Sequence, residues 1–131
     1  MSPAAASPAV LVVEDEPLIR SLAAESLADA GIPAIEAEDS EQALALLGRH
    51  PEIRLVFTDV NMPGEMDGLR LVQRVHEIRP EVELIVTSGR RPIAERDIPD
   101  DGTFLAKPYG LRQLVDTVRR KLGLAARHGG R

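Results

Sequence analysis

Short apolar runs alternate with helically spaced apolar residues along nearly the whole chain. Ala9–Val13 is a β-branched run that closes on Glu14 and Asp15. Over residues 17–30, Leu18, Ile19, Leu22, Ala23, Leu27 and Ala30 recur at helical spacing, with Pro17 suited to a first turn and Gly31 to a stop. Residues 33–37 predict a weak second strand. Ser40 opens a helix with Ala43, Leu44, Leu46 and Leu47 on its apolar side, ending near His50-Pro51. Residues 54–58 predict a third strand and 59–66 a loop. Asp67-Gly68 then opens a helix that turns Leu69, Leu71, Val72, Val75 and Ile78 inward until Pro80. Residues 82–87 (VELIVT) predict a fourth strand. The stretch GRRPIAERDIPDD, residues 89–101, holds Pro92, Pro99 and many charges, so at most a short helix fits. Residues 103–106 predict a brief fifth strand, and Leu111, Leu114, Val115, Val118 and Leu122 a last amphipathic helix.

Strand and helix thus alternate about five times, which calls for a parallel sheet with helices on both faces. Strands one, three and four are continuously apolar, as at the centre of such a sheet. Ligands of these folds gather beyond the carboxyl ends of the strands.

Composition narrows the class. The chain has 131 residues, enough for one core, with 44% hydrophobic and 28% charged residues. A formal net charge of -5 speaks against nucleic acid as the main partner. With no cysteine, disulfides and thiolate metal sites are excluded, which fits a reducing cytoplasm. The apolar runs fall short of the roughly 20 residues of a membrane span, and MSPAAASPA lacks the charged start of a signal peptide. The expectation is a cytoplasmic protein with no membrane and no nucleic-acid partner. Residues 1–8 predict a disordered lead, 9–123 one domain, and 124–131 a flexible tail. His50, His76 and His128 are too scattered to form a metal site.

The strand ends carry the chemistry. Strand one ends in Glu14-Asp15, strand three in Asp59, strand four in Thr87-Ser88, and strand five in Lys107-Pro108. Three acids brought together repel one another unless a cation joins them. An oxygen-only set with a few carboxylates suits Mg²⁺, which keeps waters and takes phosphate oxygens. A lysine supplies a compact charge for phosphate. Lys107 is one of two lysines, with Lys121, among 16 basic side chains. Aspartate serves as a nucleophile in phosphoryl transfer, so Asp59 is read as the phosphate acceptor.

VLVVEDEP, VFTDVNMPGEMDG, LIVTSG and FLAKPY, in this order, resemble the motifs of the receiver domain of bacterial two-component response regulators, over about residues 8–123. The resemblance implies a flavodoxin-like (βα)5 fold with a five-stranded parallel sheet in the order 2-1-3-4-5. It implies that a histidine kinase or histidine phosphotransfer protein phosphorylates Asp59. It implies Mg²⁺, or Mn²⁺ in its place, held by Asp15, Asp59 and the backbone carbonyl of Asn61, with Glu14 assisting through water. It further implies that Thr87, with Ser88 beside it, and Lys107 bind the phosphoryl group. Phe104 would repack on activation, and Lys107-Pro108 would be a cis peptide. The protein would be a monomer or a weak phosphorylation-dependent dimer that signals to a downstream protein.

Three features depart from the family pattern. Glu14 stands where aspartate is commoner, MPGEMDG is one residue longer than MPGMDG, and residues 89–101 suit a regular fourth helix poorly. The leading function is a response regulator with no output domain in the chain. Its alternatives are a phosphate sink, a phosphorylation-independent interaction module, or a receiver piece of a hybrid kinase. A phosphatase of the haloacid dehalogenase type would carry a second aspartate two places after the first, where Asn61 stands. A flavin protein would want a Ser/Thr/Gly-rich loop where the acidic EDEPLIR stands.

Overall fold

The computed structural model describes residues 7–64, 66–90 and 92–124. Most of the expected disordered lead, the tail beyond Leu124, and Glu65 in the lengthened loop lie outside the described residues. Five parallel strands, β1 (Ala9–Val13), β2 (Ala34–Ala37), β3 (Ile53–Asp59), β4 (Glu83–Ser88) and β5 (Thr103–Ala106), lie in the order β2-β1-β3-β4-β5. This is the flavodoxin-like order that the resemblance to receiver domains implies, and the parallel sheet is the one the alternating pattern predicts.

Residues alternate between two cores, one on each face of the sheet. Leu11, Val13, Val56, Leu84 and Val86 pack beneath α2 (Ser40–Arg49) and α3 (Gly68–Ile78). Val10, Val12, Leu55, Phe57 and Ile85 pack beneath α1 (Pro17–Asp29) and α4 (Leu111–Leu122). Burial on both faces explains the unbroken apolar runs Ala9–Val13, Leu55–Phe57 and Leu84–Val86 in the central strands, each fully buried Leu, Ile or Val contributing roughly 1.5–3 kcal/mol.

Four α-helices cover the sheet among the described residues, in keeping with the poor fit of residues 89–101 to a regular fourth helix. Between β4 and β5 stands one 3-10 turn, Glu95–Asp97. Proline at 92 and 99 bars a continuous helix, yet Ile93 and Ile98 remain buried and fill the place of a helix face. Gly102 closes the segment where a Cβ would collide with Ile98.

The helix starts follow local rules with one correction. Asp67 caps α3 as expected, accepting from Arg70 N at 2.9 Å. The cap of α2 is Asp39, whose Oδ1 accepts from Gln42 N at 2.7 Å, rather than Ser40. Ser40 is buried inside the first turn, and its hydroxyl donates to Met66 O at 2.9 Å. Gly123, at φ 71°, takes the left-handed turn that ends α4.

The apolar stripes are wider than the core. Ile78 of α3, expected inward, is 45% exposed. Leu18 of α1 is 69% exposed, and Leu22 of α1 and Leu111 of α4 are exposed as well.

Candidate functional site

Parallel pairing brings the predicted strand ends together. Val13 pairs with Thr58, Asp59 with Thr87, and Ser88 with Ala106, so the ends of β1, β3, β4 and β5 lie side by side. The carboxylates of Glu14, Asp15 and Asp59 each place an oxygen within 4.8 Å of the others. Glu14 and Asp59 are buried, whereas Asp15 is exposed.

Lys107 enters this group from the end of β5. Its Nζ donates to Glu14 Oε1 at 3.0 Å and to Asp59 Oδ2 at 3.1 Å. The second oxygen of Asp59 accepts from Asn61 N at 3.2 Å. Glu14 Oε2 accepts from Glu16 N at 3.1 Å. Burial pushes the Glu14 carboxyl above its ordinary range, with hydrogen bonds from Lys107 and Glu16 opposing the shift. Burial pulls the Lys107 ammonium down, but its bonds to Glu14 and Asp59 outweigh this and hold it above the usual lysine value.

Thr87 and Ser88 flank the acids. Thr87 is buried, and its hydroxyl has no hydrogen-bond partner among the described residues. An orphaned buried hydroxyl beside a carboxylate is costly unless a ligand meets it. Ser88 Oγ is already engaged, accepting from Asn61 Nδ2 and from Arg90 N, both at 3.4 Å. The Lys107-Pro108 peptide is cis. Phe104 stands apart from the cluster: half-buried, it packs against the core under α2 and α3, and its N–H donates to Glu95 Oε2 at 2.9 Å.

Family comparison now decides the class, because the response regulator receiver domain matches residues 10–119. The chain belongs to that family. It is a receiver domain of two-component signalling, a family of phosphoryl-accepting modules that interact with histidine kinases or phosphotransfer proteins. The response regulator receiver protein CpdR of Brucella abortus is 32% identical over 116 residues, covering 86% of this chain and 95% of CpdR. The sensor kinase CckA of the same organism is 36% identical over 120 residues, and there the chain spans only 13% of the relative's length. The crystal structure of the receiver domain of NtrX from Brucella abortus superposes with a TM-score of 0.79 at 33% identity, covering 88% of this chain and 99% of that one.

Several residues at this receiver's site carry no sequence signal of their own. Arg20, one turn into α1, donates from Nη1 to the Glu14 carbonyl at 2.9 Å and pairs through Nε with Glu36 at 3.1 Å. Tyr109 meets Phe57 edge to face, ring centroids 5.4 Å apart, and so seats the turn after Lys107 on the core. Ile19, Leu22, Gly89, Lys107, Tyr109 and Leu111 line an apolar groove of about 470 Å³ that runs from the site along α1. Only the spacing of Ile19 and Leu22 hinted at it, and that spacing equally fits a core stripe. No helix among the described residues is long and apolar enough to cross a membrane.

Proposed function

We propose that Asp59 is the phosphoryl acceptor of a cytoplasmic response regulator. The observation that carries this is a buried carboxylate at a strand end, bonded to Lys107 at 3.1 Å, beside the unpartnered hydroxyl of Thr87. One Asp59 oxygen attacks the phosphorus of a phosphohistidine. The phosphorus–nitrogen bond breaks, the histidine departs and takes a proton, and an aspartyl phosphate remains. Lys107 and the Thr87 hydroxyl then meet the new phosphoryl oxygens, one by charge and one by hydrogen bond.

The donor set suits a hard divalent cation, since three carboxylate groups converge there. Asp15, Asp59 and the Asn61 carbonyl would hold Mg²⁺, or Mn²⁺ in its place, next to Glu14. The ion supplies charge neutralisation for the phosphoryl oxygens. Asn61 cannot serve as a leaving-group acid, which favours a self-modifying switch over an enzyme that turns over external phosphate esters.

The apolar groove along α1 supports a helical donor, a histidine kinase or phosphotransfer protein, seated beside Lys107. The added phosphate carries about -1.5 to -2 charges and biases Phe104 and the 89–101 segment, changing affinity for a downstream protein.

Intact-mass spectrometry after incubation with acetyl phosphate tests this. A gain of one phosphoryl group that needs Mg²⁺ and vanishes in Asp59→Asn is the expected result. A folded, Mg²⁺-binding wild type that gains nothing would turn the proposal toward a phosphorylation-independent interaction module.

A further inference from the structure

We propose that Glu14 is the resident anchor of Lys107 rather than a ligand of the metal, so that Lys107 stays in reach after Asp59 is taken up by cation and phosphate. The proposal rests on the phosphoryl-acceptor reading of Asp59. It starts from how completely Glu14 is committed. Its Oε1 accepts from Lys107 Nζ at 3.0 Å and its Oε2 from Glu16 N at 3.1 Å. Its backbone is fixed as well, the N–H donating to Ala37 O at 3.1 Å and the carbonyl accepting from Arg20 Nη1 at 2.9 Å.

Asp15 offers the contrast. It is exposed, its carboxylate belongs to the same cluster, and it forms no ion pair among the described residues. Asp15 is therefore free to turn to a cation, whereas Glu14 would first have to leave two donors. A bound metal would also draw Asp59 away from Lys107, and leaving a half-buried ammonium without a counter-ion is costly. Glu14 is the remaining carboxylate on Lys107, and the extra methylene relative to aspartate carries its oxygen to Nζ while Oε2 stays on the backbone. Glu14 thus acts through Lys107 as a positioning residue.

The charge-conserving variant Glu14→Asp separates the two roles. Lys107 and Lys121 are the only lysines, so side-chain amine NMR shows two signals, told apart by Lys121→Arg. In Mg²⁺-saturated wild type the Lys107 amine hydrogens should be protected from exchange. In Glu14→Asp their exchange should quicken by about tenfold, the loss of one charge-assisted bond. The Mg²⁺ dissociation constant from calorimetry should stay within about threefold, because the charge in the site is unchanged. An unmoved Lys107 signal, or Mg²⁺ binding weakened by about tenfold or more, would overturn the proposal. Neither readout needs phosphoryl transfer, so a failure of Asp59 to gain phosphate counts against the acceptor reading and leaves this test intact.

Discussion

Gly68 opens α3 directly against the carbonyl oxygen of Asp59, in a space that a Cβ would occupy. The Gly68 N–H donates to Val60 O at 2.9 Å, so the first turn of α3 is tied to the backbone just past Asp59. A side chain at 68 would have to displace the strand end that sets the carboxylate. Gly68→Ala is therefore expected to cost about 1–3 kcal/mol, the range for overpacking, and to slow phosphorylation by acetyl phosphate. Urea unfolding beside the mass assay checks both; wild-type values in each would show that the helix start moves freely of Asp59.

Lys107 neutralises two buried carboxylates, 3.0 and 3.1 Å away. Lys107→Met should lower stability at neutral pH by about 1.5–3 kcal/mol, because Glu14 and Asp59 then face each other without a cation. The same change should tighten Mg²⁺ binding severalfold, since a competing positive charge is gone. Calorimetric titration reads the second effect, and weaker Mg²⁺ binding in the variant would contradict it.

Tyr109 is the only tyrosine in a chain without tryptophan, so its ionisation is read directly from the tyrosinate absorbance. Burial, with the nearby Glu14 charge adding, pushes the phenol up to about 12. Between the ordinary value near 10 and about 12, the folded chain keeps a proton that the unfolded chain has lost. Lys107 is also raised, so its ammonium contributes fully below the ordinary lysine value and is lost as pH rises past its folded one. Both effects predict that stability falls as pH rises above about 10. A Tyr109 midpoint equal to that in urea would refute the burial account.

Leu22 lies 44% exposed on α1 and lines the apolar groove, so Leu22→Asp should cost at most about 1 kcal/mol of stability. It should keep phosphorylation by acetyl phosphate while losing transfer from a phosphohistidine protein, because the proposed docking on the groove serves only the latter. Equal loss with both donors would place the defect in the site and not in docking.

Arg79 locks the end of α2 to the entry of β3, donating to Leu47 O at 3.2 Å, Pro51 O at 3.2 Å and Ile53 O at 2.7 Å. Its Nε also donates to Glu81 Oε2 at 2.7 Å, which holds that carboxyl below the usual range together with its own backbone. Arg79→Lys should cost about 1.5–3 kcal/mol in urea unfolding, since a single ammonium cannot serve three carbonyls in a fork. Mg²⁺ affinity should not change.

By itself the sequence determined the alternation of strand and helix, the two-faced burial and the residues at the strand ends, while the strand order followed only from the likeness of its motifs to receiver domains. The reason is physical: a strand buried on both faces reads as an unbroken apolar run, so the first polar residue after Val13, Thr58 and Ala106 marks the edge where ligands meet the sheet. Proline at 92 and 99 likewise pointed to at most a short helix over 89–101, where the fold has one 3-10 turn. Spacing could not separate a core stripe from an exposed one, which is why Leu18 and Ile78 point away from the core they seemed made for. Nor could it pair Lys107 with Glu14, 93 residues away, or bring Arg20 to the Glu14 carbonyl. Those contacts depend on parallel register and on where α1 settles, and only packing of the whole chain fixes either.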